Sequence, residues 1–560
     1  MTRAGWFAPS TRRMLIALLA TAAMAGDAQA YVLIRVTATS PPQHWPSAAQ
    51  PVLMQLNDQI GPALPNVAAG SDPRAAVTRA LGKWPAASAF RFAEGSTAVT
   101  SAGADGINLI SFADTPANRQ AFEMAGGNGV VGLTLSFFRA GGEITEADVI
   151  FNPALQFSTT VDTDTALRAA SQFDVEAVAT HELGHVIGLH HSGVESATMW
   201  SLTSVLQRQL DSDDIAGARV LYPNDGASGR IAGRVTVNGG SAFGAQVVAV
   251  DQRGVVVASA LTLPDGTYAI EQLAPSTYDV YVEPLDGPHS SVPNVPCIRV
   301  GNLSGGGIYS GATLTTDFPT RFTDNLVVSA GATAALDFAL PSGAPPVNPA
   351  EIGTATIESG GSLIASIASH PIAVMPGDSL ILVVAGTNLD QVTAGDVDLG
   401  PDISLDAESF QIVTFSCNSA PLPAFLAGIT VAQSAAGGGH SIVLRTGSER
   451  VVLTGALRVQ TPELPTPTPS VTPTPTVTST LTATPTRTAT RTIGPSSTPG
   501  ACVGDCDASG DVTVDELVRG VNIALGIAPL SDCPLFDTDH SDDVTVDELV
   551  RAVNAALSQC

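Results

Sequence analysis

The segment from His181 to Met199, HELGHVIGLHHSGVESATM, holds four of the nine histidines in a chain of 560 residues. Apolar residues at helical spacing in FDVEAVATHELGHVIG predict a helix, and Gly188 can take the left-handed conformation that ends it. Residues four apart lie on one face of a helix, so His181 and His185 can offer their imidazoles to one metal ion. A sharp turn at Gly188 would then bring His191 back as a third ligand.

These residue types predict a particular chemistry. Three neutral imidazoles leave one position of a zinc ion open for water, which is the arrangement of a catalytic rather than a structural zinc site. Zinc lowers the pKa of that water, and Glu182, which lies beside the ion, can take its proton and pass it to a leaving amine. The predicted reaction is the hydrolysis of a peptide bond. His190 lies outside the ligand spacing and is expected to be a neighbouring loop residue.

The complete pattern HExxHxxGxxH, followed eight residues later by Met199, resembles the metzincin metalloproteases. Within that clan the chain is similar to the matrixins, because Ser192 directly follows the third histidine and residues 210–223, LDSDDIAGARVLYP, look like the closing helix of a matrixin catalytic domain. The resemblance implies an α/β fold with a twisted, mostly parallel sheet, three helices and a cleft that crosses the zinc. It also implies that Met199 lies beneath the metal as the methionine of the Met-turn.

Two departures from animal matrixins shape the prediction. Those enzymes bind a second, structural zinc through upstream histidines, but no histidine lies between His44 and His181 here. One zinc ion is therefore predicted, and calcium in this region stays open. Animal matrixins are also kept latent by a propeptide cysteine, whereas the first cysteine here is Cys297, so that form of latency is expected to be absent.

Residues 1–30 are predicted to be a signal peptide that directs export. They carry Arg3, Arg12 and Arg13, then the apolar run MLIALLATAAMAG and a small-residue site that fits cleavage after Ala30. No later segment is long and apolar enough to cross a bilayer, so a secreted chain without a membrane span is expected. The net charge of −27 disfavours nucleic acids and anionic membranes as partners.

Changes of composition predict further domains. Alternating apolar and polar residues, with turn signals at Asn238-Gly239 and Asp265-Gly266, predict a β-sandwich over residues 228–342 that resembles carboxypeptidase-regulatory-like domains. A second β-rich domain over residues 350–460 is similar to immunoglobulin-like domains of the IPT type. The Pro/Thr-rich segment 461–500 cannot bury a core and should be an extended linker. Spacer, substrate-docking and adhesion roles all remain open for the two β domains.

Residues 501–560 contain a repeat, DVTVDELVRGVNIAL and DVTVDELVRAVNAAL, and each copy begins inside an acidic loop. Both loops place oxygen ligands at the spacing of a calcium-binding EF-hand, with Asp542 in the second where glycine usually makes the turn. Val512 and Val544 are expected to pair the loops. The predicted ligands of two calcium ions are Asp505, Asp507, Ser509, Asp511, Thr513 and Glu516 in the first loop, and Asp537, Asp539, Ser541, Asp543, Thr545 and Glu548 in the second.

The repeat resembles a dockerin module, which implies a cohesin-like or cell-surface partner. The four terminal cysteines, Cys502, Cys506, Cys533 and Cys560, predict two disulfides, with three possible pairings. The fold class expected for the whole chain is multidomain: an α/β catalytic domain over residues 31–223, all-β sandwich domains, and a small α-helical calcium-binding module. The expected function is that of a secreted zinc endopeptidase acting on extracellular proteins. The alternative is a non-catalytic adhesion or scaffold protein whose metzincin-like domain binds but does not cut.

Overall fold

The computed structural model describes residues 32–284 except Asp225, residues 318–460 except four short gaps at 344–346, 358–362, 369–370 and 418–419, and part of residues 503–552. The chain divides into two compact units, residues 1–466 and 467–560, and each is described by itself. Residues 1–30, Cys297 and the Pro/Thr-rich segment 461–500 lie outside the described residues.

Residues 32–224 form an α/β domain in which one sheet is flanked by helices. The five α-helices of this region are α1 (Pro73–Ala87), α2 (Pro116–Ala125), α3 (Asp164–Ala170), α4 (Val175–Val186) and α5 (Ser212–Leu221). The strands are β1 (Val52–Asn57), β2 (Phe92–Thr97), β3 (Asn108–Ser111), β4 (Gly132–Phe138), β5 (Ile144–Phe151), β6 (Gln156–Ser158) and β7 (Gln172–Asp174).

The main sheet has the strand order β2-β1-β3-β5-β4. All its neighbouring strands are parallel except β4, which runs antiparallel to β5 at the edge. Apolar side chains from the sheet and from α1 and α4 fill the core, and Trp84 of α1 is fully buried and donates its indole N–H to the carbonyl of Thr180. This contact ties α1 to the helix that carries the histidines.

The resemblance implied three helices, but this region has five. The additional helices, α2 and α3, are 10 and 7 residues long. Each begins at a threonine whose side chain accepts a backbone N–H from the first turn, namely Thr115 for α2 and Thr163 for α3. Such N-caps satisfy one of the free N–H groups at a helix start, and they explain why short helices form in these two connections.

The next region is a β-sandwich. One sheet has the order β11-β10-β13-β14, and the other has β12-β8-β15, with β9 and β16 also paired to β8. Asn238 and Gly239 both have positive φ in the turn between β8 and β9, and Gly266 has φ +82° before β12. The strands are β8 (Gly229–Val237), β9 (Gly240–Ser241), β10 (Gln246–Val250), β11 (Val256–Leu261), β12 (Thr267–Leu273), β13 (Ser276–Glu283), β14 (Arg321–Val328), β15 (Thr333–Ala335) and β16 (Phe338–Leu340).

A second pair of sheets follows, with the orders β18-β17-β20-β23-β22 and β19-β25-β24-β21. Its core includes the fully buried Phe425, Leu382 and Leu457. The strands are β17 (Asn348–Ile357), β18 (Leu363–Ala368), β19 (Ile372–Val374), β20 (Ser379–Thr387), β21 (Val397–Asp398), β22 (Ile403–Cys417), β23 (Ala420–Val431), β24 (Gly438–Thr446) and β25 (Glu449–Val459). The chain therefore has an α/β domain followed by a largely β-rich region, as the sequence predicts.

The α/β domain shares packing with both β regions. A cluster of apolar side chains contains residues from all three parts: Val194 and Ala197, then Val248, Val256 and Tyr281, then Val452. Helix α5 also lies against β11, where the backbone N–H of Ser259 donates to the carboxylate of Asp213 over 2.6 Å. The three parts are thus held together by apolar contacts as well as hydrogen bonds.

The C-terminal unit is described only in part. Cys506 and Cys533 form a disulfide, one of the bonds that the sequence permits, and a small core forms around it from Ile523, Phe536, Val544 and Ala552. Val512 and Val544 are both buried. Asp505 and Glu516 are also buried, and a Glu516 carboxylate oxygen accepts the backbone N–H of Cys506 over 2.7 Å.

Nine of the twelve predicted calcium ligands lie outside the described part of the chain. The residues that lie outside the described part of the chain are Asp507, Ser509, Asp511, Thr513, Asp539, Ser541, Asp543, Thr545 and Glu548, together with Cys502 and Cys560. The calcium loops, the dockerin-like module and the second terminal disulfide therefore stay predictions. Among the helices that the structure describes, none is both long and apolar enough to span a membrane.

Candidate metal centre

Helix α4 and the turn after it bring three histidines together. His181 and His185 lie one turn apart on α4, and their ring centroids are 4.9 Å apart. The ring of His191 lies 5.1 Å from that of His181 and 5.0 Å from that of His185. One nitrogen atom of each ring lies within 4.8 Å of the others, so the three side chains can converge on one ion.

The return of the chain to the helix depends on glycine. Gly188 has φ +105°, a conformation that side-chain-bearing residues rarely adopt. A Cβ atom there would also overlap the carbonyl oxygen of Gln43 and lie 3.1 Å from Leu221. Conformation and close packing therefore both require glycine at this position.

Backbone carbonyls orient two of the rings. His181 donates its Nδ1–H to the carbonyl of Thr198 over 2.7 Å, and His185 donates its Nδ1–H to the carbonyl of Leu189 over 2.8 Å. A carbonyl can only accept, so in each neutral ring the proton sits on Nδ1 and the lone pair on Nε2. Second partners of this kind are usual for histidines that bind metal ions, so the residues present fit zinc.

The pKa values of the rings agree with the neutral form. Burial lowers the pKa of His181 to about 4, although its hydrogen bond to Thr198 opposes the shift. Burial also lowers the pKa of His185 well below its ordinary value, and the neighbouring His181 adds to the effect. Both imidazoles are therefore neutral at physiological pH, which is the form that binds a metal ion.

Glu182 lies on the same helix, and its carboxylate contacts the edge strand β4. The hydroxyl of Thr134 donates to Glu182 Oε2 over 2.7 Å. A Cβ atom on Gly132 would lie only 2.6 Å from Glu182 Oε1, so glycine makes room for the carboxylate. Burial raises the pKa of Glu182 to about 7, while the hydrogen bond from Thr134 opposes the shift. The group is thus poised to gain and lose a proton near neutral pH.

Met199 lies beneath the histidines. Its side chain is buried, and its sulfur contacts α4 at Gly184, where a Cβ atom would overlap it. The same Cβ atom would lie 2.8 Å from Trp84. Gly184 therefore gives Met199 its place between the two helical histidines.

Helix α5 holds the backbone of the Met-turn. One Asp214 oxygen accepts the N–H of Thr198 over 2.6 Å, and the other accepts the N–H of Met199 over 2.9 Å. Asp213 accepts the hydroxyl of Ser192 over 2.6 Å. Burial raises the pKa of Asp213 to about 7 and that of Asp214 to about 6, and the hydrogen bonds to each carboxylate oppose the shift.

His190 has a separate role. Its ring Nδ1 accepts the backbone N–H of His191 over 2.7 Å, and the backbone N–H of His190 donates to the carbonyl of Val32. It is not among the three histidines that converge. The site thus contains the predicted residues His181, Glu182, His185, His191 and Met199. Sequence reasoning missed the residues that support them, namely Gly132, Thr134, Gly184, Asp213 and Asp214. The acidic start of LDSDD was a signal for the last two.

Residues 60–223 match the family model described as Matrixin. This part of the chain is therefore similar to the matrixins. The matched range contains the three histidines, Glu182, the Met-turn and α5. The match covers less than a third of the chain. It ends at residue 223, before the β regions and the C-terminal unit.

Curated relatives match the matrixin-like domain locally. Metalloendoproteinase 2-MMP of Arabidopsis thaliana is 40% identical over 63 residues, which are 11% of this chain and 17% of that protein. The hatching enzyme of Paracentrotus lividus is 32% identical over 128 residues, or 22% of each chain. Karilysin of Tannerella forsythia is 44% identical over 52 residues, or 9% of this chain and 11% of that protein. The chain thus spans about a fifth or less of the length of these relatives.

Comparison with solved structures adds nothing to this assignment. Fervidolysin of Fervidobacterium pennivorans, a keratinolytic enzyme related to subtilisin, covers 43% of this chain and 35% of its own at 14% identity. The TM-score is 0.15, which is too low to support an argument about fold.

Proposed function

We propose that this protein is a zinc-dependent endopeptidase. The observation that carries the proposal is the convergence of His181, His185 and His191 beside the buried carboxylate of Glu182. The hydrogen bonds of His181 and His185 leave the lone pair of each ring on Nε2. Zinc bound by these histidines would supply a Lewis acid that polarises a substrate carbonyl and acidifies a water molecule. The match to the matrixin family and the named metalloendoproteinases support the same reaction class.

The roles of the chain's own residues follow from their contacts. Glu182 would take the proton of the attacking water on its carboxylate and then give it to the nitrogen of the leaving amine. The hydroxyl of Thr134 fixes Oε2 of that carboxylate, so Oε1 would be the oxygen that takes the proton. Met199 and the Asp214-bound Met-turn keep the ring of His181 in place through the carbonyl of Thr198.

The setting of the enzyme is part of the proposal. The signal-like residues 1–30 support secretion, and the Cys506–Cys533 disulfide fits an oxidising compartment. The two acidic loops of residues 501–560 support a calcium-binding module that would attach the enzyme to a cohesin-like or cell-surface partner. Unfolded or extended segments of extracellular proteins would be its substrates.

The proposal is tested by incubating the full chain with an unfolded protein in water enriched in oxygen-18. Hydrolysis places one heavy oxygen in each new carboxyl terminus, which mass spectrometry detects. We expect labelled internal cleavage that stops when a chelator removes zinc and returns when zinc is added back. Intact substrate at one bound zinc per chain would instead favour the non-catalytic scaffold.

A further inference from the structure

Arg458 is far from the histidines in sequence, but it contacts residues 196–209, the stretch that contains Met199. Arg458 lies on β25 of the second β region, and its side chain is only 6% exposed. Nη1 donates to the carbonyls of Ser196 and Leu206 over 2.9 and 3.0 Å, and Nη2 donates to the carbonyl of Gln209 over 2.7 Å. Its Nε also lies 3.6 Å from the buried carboxylate of Asp211.

The three carbonyls that accept from Arg458 all belong to the stretch between His191 and α5. The Gln209 carbonyl that accepts from Arg458 also accepts the hydroxyl of Thr198 over 2.8 Å. The carbonyl of Thr198 in turn accepts Nδ1–H of His181, and it also accepts the amide of Gln207 over 2.9 Å. A short chain of hydrogen bonds therefore leads from the guanidinium to a ring that faces the metal position.

The surface around Arg458 fits the same stretch closely. The backbone N–H of Glu195 donates to the carbonyl of Thr454 over 3.0 Å. Ser196 packs against Gly439 and Gly455, and Gly439 is the residue directly opposite Arg458 on the neighbouring strand. A Cβ atom on Gly439 would overlap the hydroxyl of Ser196 and lie 2.9 Å from its Cβ atom. The glycines thus let the two backbones approach, and the arginine joins them.

We propose that Arg458 is a positioning residue for the metal centre. A buried guanidinium is stable only where several acceptors surround it, and here all the backbone acceptors lie in the stretch that carries Met199. By fixing Ser196, Leu206 and Gln209, the second β region holds the Met-turn so that the Thr198 carbonyl keeps the ring of His181 aimed at the ion. This role in metal binding stands on its own, while its effect on catalysis rests on the proposed function.

The test replaces Arg458 in the full chain with methionine, which keeps most of the volume but has no donors, and separately with lysine. The matched control is Arg445→Met on the adjacent strand β24, where Arg445 is half exposed and pairs with Asp398. Zinc affinity is measured by competition with a chelator, and the visible spectrum of the cobalt-substituted protein reports the geometry of the ligands. We expect Arg458→Met to bind zinc on the order of tenfold more weakly. We also expect it to change the cobalt bands and to lower kcat more than it raises KM.

Arg458→Lys should recover part of the zinc affinity, and Arg445→Met should match the unmodified chain. A folded Arg458→Met protein with unchanged zinc affinity and unchanged cobalt bands would overturn the proposal, even if its thermal stability fell. If the unmodified chain cuts no substrate, the proposed function fails, while the zinc and cobalt measurements still decide the role of Arg458.

A second variant covers the case in which Arg458→Met does not fold. Gly439→Ala keeps the arginine but pushes on Ser196 from the neighbouring strand β24. Gly395→Ala is its control because the nearest atom to the added methyl group is 3.9 Å away. We expect Gly439→Ala to weaken zinc binding and alter the cobalt bands, and Gly395→Ala to do neither. Equal zinc affinity in the two glycine variants would contradict the coupling between β24, β25 and the metal centre.

Discussion

The sulfur of Met199 rests against Gly184, the residue that lies between the two metal-facing histidines of α4. Gly184 leaves space beside α4, and the side chain of Met199 fills it. The two residues come from segments separated by the turn at Gly188. This contact links the helix to the Met-turn directly, and it sets a strict limit on the size of residue 184.

Gly184→Ala should therefore damage the site although alanine is the better helix former. The added methyl group would displace Met199 and press on Trp84. Overpacking of this kind costs about 1–3 kcal/mol of unfolding free energy. Thermal unfolding and zinc affinity are the measurements, and Gly82→Ala in α1 is the control, since no atom lies within 4 Å of that position. The control should gain up to about 1 kcal/mol. Equal behaviour of the two variants would contradict the packing described.

Thr134→Val should shift the pH dependence of cleavage. The variant keeps the shape of the side chain but loses the hydroxyl that donates to Glu182 Oε2. Because that hydrogen bond favours the charged carboxylate, its loss raises the pKa of Glu182 further, and the acid limb of kcat/KM moves to higher pH. A hydrogen bond to a charged group contributes about 1.5 kcal/mol or more, so the rate below that limb should fall about tenfold.

The matched control for this variant is Thr145→Val on β5. The hydroxyl of Thr145 donates to the carbonyl of Phe137, away from Glu182. The pH dependence of kcat/KM in Thr145→Val should therefore match that of the unmodified chain. An acid limb that stays in place in Thr134→Val, or that moves to lower pH, would show that Thr134 does not act on the base.

Glu283→Gln should flatten the dependence of stability on pH. Burial raises the pKa of Glu283 to about 8 in the folded protein, and the charge of Glu195 adds to the shift. The folded chain then holds a proton that the unfolded chain releases above its ordinary pKa of 4.5, so stability falls as pH rises from about 4.5 to 8. The drop in melting temperature between pH 5 and pH 8 should be smaller in Glu283→Gln, and unchanged in the exposed control Glu408→Gln. A drop of equal size in all three proteins would contradict this assignment.

Calcium binding by the C-terminal repeats is testable by calorimetric titration of the full chain. We expect two calcium sites, with the second weaker because Asp542 takes the place of the glycine that makes the turn. Glu516→Gln and Glu548→Gln should each remove one site, because a final glutamate supplies two oxygens. Asp532→Asn, an exposed residue between the loops, is the control and should bind as the unmodified chain does. If the heat of calcium binding were unchanged in both glutamate variants, the loops would be ruled out as the calcium sites.

The local parts of the site were predictable because short-range rules determine them. The spacing of His181 and His185 and the turn at Gly188 depend on helix geometry and on one residue with positive φ. The same rules predicted the alternating strands and the hairpin at Asn238-Gly239. They did not predict α2 and α3, although Thr115 and Thr163 carry N-cap signals, because short capped helices resemble loops in sequence.

The supporting contacts were not predictable for a different reason. Thr134 reaches Glu182 from an edge strand, Asp214 reaches the Met-turn from α5, and Arg458 reaches the same stretch from the second β region. Each contact depends on how distant segments pack, and nothing in the local pattern around these residues marks their partner. An arginine in a β-strand, in particular, reads as a solvent-facing residue until its three buried acceptors are known.

Cleavage of an unfolded protein by the full chain and by Glu182→Gln, with the bound zinc counted in both, tests the proposed endopeptidase most directly. The substitution keeps the size of the side chain and leaves His181, His185 and His191 unchanged, but an amide cannot take the proton of water. We predict one zinc ion in each protein, cleavage by the unmodified chain, and a loss of at least about a hundredfold in the variant. Equal cleavage by both proteins, or no cleavage by a zinc-loaded unmodified chain, would contradict the role given to Glu182 or the endopeptidase function itself.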